Sequence, residues 1–217
     1  MAIASDLERS AVAFLPVRDE TFTAVKVNRV ARLVSWIGHP LVFVTVSVII
    51  VVTAELTLRA AWPVVAVLLL AVILPTAILL YLGVRSGQWQ DADVSVREQR
   101  RRFYPRAIPI SAVGVLVSYL TGAPWFIIKG SLVTLGVFIV AAIVNRRMKI
   151  SLHAIFAFFC ATILFRVNFF WGLAALALAL LVFWSRLNLK RHVPAEMIAG
   201  TVLGVCGGIV AAWLPGS

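Results

Sequence analysis

Seven stretches of this chain are too apolar, and most of them too long, to be one face of a helix or strand in a soluble core. The runs at 33–56, 61–84, 125–144 and 195–214 show neither helical nor strand alternation. Each reaches the roughly 20 residues that an α-helix needs to cross a bilayer. Runs at 107–121, 151–165 and 169–184 are shorter, which brackets the count at about six to seven transmembrane helices. Hydrophobic residues make up 62% of the sequence and the mean hydropathy is +1.00, leaving no room for a separate soluble domain. The expected fold is an all-α integral membrane protein, a polytopic helical bundle occupying residues 33–217. Residues 1–32 carry both signs of charge and read as an amphipathic helix or a loosely ordered arm, not a cleavable signal.

In so apolar a chain, the net charge of +11 must sit in the connections between spans. Seventeen of the 20 cationic residues fall in the N-terminal arm and in the connections after the second, fourth and sixth spans. Only Arg59, Lys129 and Arg166 remain for the opposite side. The positive-inside rule makes the crowded side cytoplasmic and the protein a multi-pass component of the cell (inner) membrane. A basic membrane face suits anionic lipid headgroups or phosphate substrates. No nucleic-acid-binding pattern is present, and Cys160 and Cys206 lie inside apolar runs as small hydrophobes, without disulfide or zinc spacing.

Span parity brings three polar segments to that same side: the Arg-rich connection 85–106, the segment with Ser151 and His153, and the segment with Arg186, His192 and Glu196. Glu196 is the only acidic residue after Glu98. A carboxylate able to hold a histidine, beside a guanidinium, is what phosphoryl transfer through a histidine nucleophile needs. Each residue taken alone has a plainer role. Arg100, Arg101 and Arg102 would anchor to anionic lipid, and Asp91 and Asp93 read as loop or cap residues. His39, next to Pro40 in the first span, reads as packing, and Lys129 as a snorkelling side chain. Trp125, Trp171 and Trp213 fit an interfacial aromatic belt.

Together these segments resemble the type 2 phosphatidic acid phosphatase superfamily, which shares its site with vanadium haloperoxidases. That family carries Lys-x6-Arg-Pro, then Pro-Ser-Gly-His, then Ser-Arg-x5-His-x3-Asp. Here Ser185-Arg186, five residues, His192, three residues and Glu196 match the third motif with Glu for Asp. Ile150-Ser151-Leu152-His153 keeps the Ser and His of the second. Arg97, six residues, Tyr104 and Pro105 align with the first, with Arg for Lys and Tyr for Arg. The resemblance covers about residues 61–214, with its motifs within 97–196.

It implies a haloperoxidase-like helical core and a metal-independent phosphatase without cofactors. The substrate would be a phosphomonoester or diphosphate on a membrane lipid or polyprenyl carrier. In that scheme His192 is the nucleophile held by Glu196, and His153 protonates the leaving group. Arg97, Arg101, Ser151 and Arg186 bind the substrate phosphate, with Arg101 or its neighbours Arg100 and Arg102 supplying the charge absent at Tyr104. A lipid phosphotransferase would use the same residues. A catalytically degenerate relative that binds anionic lipid or a membrane partner is the competing class.

Overall fold

The computed structural model describes residues 18–213, and side chains from residue 28 onward. Among the described residues every regular element is helical: α1 (Arg18–Ile37), α2 (Pro40–Glu55), α3 (Leu58–Arg85), α4 (Arg97–Leu120), α5 (Trp125–Val144), α6 (Leu152–Val167), α7 (Phe169–Asn188) and α8 (Pro194–Trp213). Helices α3, α4, α5, α7 and α8 are long and apolar enough to cross a membrane, and the bent pair α1–α2 makes up to a sixth. Exposed apolar side chains such as Leu70, Leu116, Leu132, Leu180 and Val202 clothe their outer faces, as in a lipid-facing bundle.

Every expected apolar run became a helix, but three boundaries differ from the sequence expectation. The arm is helical from Arg18 and runs into the first apolar run; the part of it before residue 18 lies outside the described residues. That run is not one straight span, because it bends by 47° at Gly38 and His39. Pro40 opens α2 and excludes His39 from the helical region, leaving it at φ −59°, ψ 136°. Gly38 permits close passage of α7, since a Cβ there would lie 2.1 Å from the Val182 side chain. The third difference is that the Arg-rich segment is not a loop. From Arg97 it forms the first turns of α4, which continues through Pro105 and Pro109. Glu98 in the first turn complements the helix dipole.

Helix α6 is the axis of the bundle. Every residue from Leu152 to Ala161 is buried, and α2, α7 and α8 pack around it. At 16 residues it spans only about 24 Å, short of a ~30 Å hydrocarbon core, and the 20-residue α7 and α8 flank it. Its approach to α8 depends on residues without side chains. A Cβ at Gly200 would sit 2.8 Å from the Ser151 carbonyl oxygen, and one at Gly204 would sit 2.3 Å from that of Ile155. At Gly208 the Phe159 carbonyl would be 2.9 Å away. This four-residue glycine spacing lets two backbones touch, which is how membrane helices pack without a hydrophobic drive between them.

Replacing Gly204 by Leu should therefore cost at least about 2 kcal/mol, the scale of overpacking against unyielding backbone. Gly130→Ala should be neutral or slightly stabilising, because nothing lies within 4 Å of a Cβ there. Thermal unfolding of both variants in detergent checks this, and equal midpoints would contradict the packing account.

Candidate functional site

The ends of α1 and α7 and the starts of α2, α4, α6 and α8 meet at one end of the bundle, where a cluster of buried polar side chains collects. Local structure fixes each one. Helix α7 closes with Lys190 in the left-handed region (φ 53°), Lys190 N–H donating to the Leu187 carbonyl and Arg191 N–H to that of Arg186. This helix-ending turn reverses the chain and returns His192 towards Arg186. Pro194 then opens α8, where its missing N–H costs nothing. Glu196 lies at the third helical position and reaches back to the Val193 N–H at 3.4 Å, half of a capping box. The same oxygen, Oε2, lies 2.7 Å from His192 Nδ1. A glutamate has the length for that backward reach, so the longer carboxylate still meets the imidazole.

His192 is 6% exposed, and its second nitrogen, Nε2, is buried with no hydrogen-bond partner. Burial, reinforced by Arg100, Lys149 and Arg186, lowers its pKa to about 2. The ring is therefore neutral. Because an ionised carboxylate only accepts, the ring's single proton belongs on Nδ1 and the lone pair on Nε2. Lys149 donates to the Arg191 carbonyl at 2.6 Å and tethers the connection between α7 and α8. Burial lowers the Lys149 pKa; Glu196 opposes that shift, and Arg100, Arg186 and Arg191 add to it.

Arg186 is 1% exposed. Its Nη1 donates to Asp93 Oδ2 at 2.6 Å and to Ser35 Oγ at 2.8 Å, while Nε and Nη2 are buried without partners. His153, at the start of α6, points Nε2 towards Asp93 Oδ1 at 3.6 Å, too long for a hydrogen bond. His39 Nε2 lies 3.8 Å from the same oxygen, and the two imidazoles meet edge to face with centroids 5.6 Å apart. Although both rings face Asp93, no three such groups among the described residues are arranged to hold a metal ion.

The structure thus brings together His153, Arg186, His192 and Glu196. Ser151 is buried beside them, but its hydroxyl accepts from the Ala154 N–H as the N-cap of α6. Leu152 in place of a glycine brings no strain, because it enters the helix with negative φ. Arg97 and Arg101 do not join the cluster. Arg97 donates to the carbonyls of Asn145 (3.1 Å) and Arg146 and closes the end of α5, and Arg101 is exposed.

The cation beside Tyr104 is Arg100, one helical turn earlier and fully buried. Arg100 donates to the carbonyls of Val94 (2.8 Å) and Ile150, so it ties the Asp93 loop to the start of α6. No family model, curated protein or solved structure matches this chain.

Asp93, His39 and Ser35 are members that the sequence reading assigned to loop, packing or nothing. Asp91 is a loop residue, accepting from Ser95 N–H at 3.1 Å, and it also pairs with Arg191 at 2.9 Å. Asp93, two residues on, turns inward instead. Its neighbour Val94 is held at φ 46°, an outlier for a β-branched residue, while buried under Arg100. The signal available in sequence was a histidine inside an apolar run, which is a functional candidate on that ground alone.

The neutral His192 has a consequence for stability. Unfolded, the imidazole titrates near 6.5; folded, it stays unprotonated far below that. As pH falls through 6.5 the unfolded chain binds a proton that the folded protein refuses, so stability is lost on acidification. Between about pH 7.5 and pH 5.5 the wild type should lose about 1.4 kcal/mol more than His192→Gln. Chemical denaturation at the two pH values measures it, and equal losses would mean that the ring is not held neutral.

Proposed function

We propose that this chain is a lipid phosphate phosphatase related to the type 2 phosphatidic acid phosphatases, working through a phosphohistidine at the basic face of the cell membrane. The observation that carries the reading is the His192–Glu196 contact of 2.7 Å, with Nε2 of His192 and Nε and Nη2 of Arg186 all buried and unpartnered. An orientated lone pair next to two unsatisfied guanidinium donors suits a phosphoryl group. Buried donors without acceptors are costly, and a phosphate has oxygens to satisfy them. The helix starts at Pro40, Leu152 and Pro194 direct their positive dipole ends at the same place.

In the proposed reaction, the lone pair on His192 Nε2 attacks phosphorus and forms the N–P bond as the P–O bond to the lipid breaks. His153, taking up a proton that enters with the monoanionic phosphate, passes it to the departing oxygen. Glu196 stabilises the positive charge that develops on the ring. Arg186 and Arg100 balance the charge on the phosphoryl oxygens. Water then attacks phosphorus and returns a proton to His153. The N–P bond breaks, releasing inorganic phosphate and neutral His192. A bundle whose outer faces are apolar suits a substrate that arrives by lateral diffusion, such as phosphatidic acid, phosphatidylglycerol phosphate or a polyprenyl phosphate or diphosphate.

Phosphate release by the purified protein from a panel of these lipids, with and without chelator, tests the reading. We expect chelator-resistant release that falls by about 10³-fold or more in His192→Ala and about 10²-fold in Arg186→Lys. Arg97→Ala and Arg101→Ala should stay within a few-fold of wild type. Release that survives in His192→Ala would remove the histidine mechanism. No release from any lipid by folded protein would leave anion binding without turnover.

A further inference from the structure

Two cavities between the helices share part of their walls. The smaller, about 70 Å³, begins at His39, Asp93 and His153 of the polar cluster. The larger, about 360 Å³, runs towards Glu55, Lys129 and Arg166 at the opposite end, within the usual range for ligand pockets. Val44, Val72, Ile73 and Thr134 line both, so the two adjoin. Between their ends α2 extends from Pro40, next to His39, to Glu55, 16 residues, or about 24 Å, most of the thickness of a hydrocarbon core.

The wall is specialised at the junction. Helix α3 widens there into a π turn at Leu69–Ile73, with Pro75 two residues after it. Val72 of that turn is drawn towards α4 because position 114 is glycine; a Cβ there would lie 2.2 Å from Val72 Cγ2. Single π turns inside helices concentrate at functional sites. Two hydroxyls in the wall are satisfied by their own helices: Thr134 donates to the Gly130 carbonyl at 2.8 Å and Ser111 to that of Ala107 at 3.1 Å, while Ser47, Thr76 and Ser131 also line the space. Between its charged ends the wall is mainly apolar, which suits a hydrocarbon occupant.

We infer that this passage receives one long alkyl or prenyl chain of the phosphate-bearing lipid, drawn into the bundle interior with its headgroup at Arg186 and His192. The inference rests on the phosphatase reading for the position of the headgroup, and deepens it by naming the substrate class. Long single-chain phosphates are favoured because the space starts within the polar cluster and extends away from it between the helices towards the opposite end. Short-chain or soluble phosphate esters forgo that burial.

The test is photolabelling of the purified full-length protein in detergent with hexadecyl phosphate bearing a diazirine at the chain terminus. Labels are expected on residues of the distal cavity, on α2 and α5 around Val48 and Ser131. Unlabelled hexadecyl phosphate should displace them and hexadecanol should not. Thr134→Trp, which narrows the junction, should cut distal labelling by about tenfold or more, the affinity supplied by burying two or three methylenes. Mapping on the wild type stands even if that variant does not fold. Labels confined to outward residues such as Leu70 and Leu132, or equal displacement by hexadecanol, would overturn the inference. Labelling that persists in His192→Ala separates binding from turnover. Distal labelling with no phosphate release from any lipid would sink the phosphatase reading and leave the chain site standing.

Discussion

The starts of α6 and α8 lie against each other with almost no side chain between them, and the polar cluster depends on that approach. Gly200 leaves room for the Ser151 carbonyl, and the Ser151 N–H donates to the carbonyl of Glu196 at 3.3 Å. One backbone contact therefore sets the offset between the helix that carries His153 and the one that carries Glu196 and, through its cap, His192. The cost of such closeness is met by removing side chains, which in a membrane bundle is the available route to tight packing. A bulkier residue on this seam would shift both histidines together, so stability and site geometry are not separable there.

Around that seam the charges are arranged against their own desolvation. Arg100 and Arg186 are almost wholly buried, an environment in which unpaired charge is severely penalised. Arg100 spends its donors on the carbonyls of Val94 and Ile150, which makes it a brace as well as a cation. Arg186 is only partly satisfied, with one nitrogen on Asp93 and Ser35 and two without partners. Asp93 supplies the counter-charge that such an arginine needs, and it would also compete with any incoming anion for the same guanidinium. The strained Val94 beside it keeps that carboxylate turned inward.

Much of the architecture could be read from the sequence because bilayer thickness acts on run length alone. All seven apolar runs are helical, and their parity is enough to bring the 151–153 and 186–196 segments to one end. His192 and Glu196 were legible as a candidate pair, but whether they touch depended on where α8 starts, and it is the start at Pro194 that brings them together. The first motif was not legible. Treated as a loop, Arg97 and Arg101 were free to reach the site. In a helix each residue turns by about 100°, so Arg100 faces inward while its neighbour Arg101 faces out. Asp93 and His39 were hidden for another reason: their roles arise from a bend at Gly38 and a positive φ at Val94, which local pattern does not announce.

The most direct test of the account is to look for the covalent intermediate itself. Purified protein would be mixed briefly with a lipid phosphate, quenched in alkali to preserve an acid-labile phosphoramidate, digested and sequenced by mass spectrometry. The account predicts one phosphoryl group on the imidazole of His192, absent from His192→Ala. A phosphoryl group found on any other side chain, or lipid turnover with no modification of His192, would contradict it.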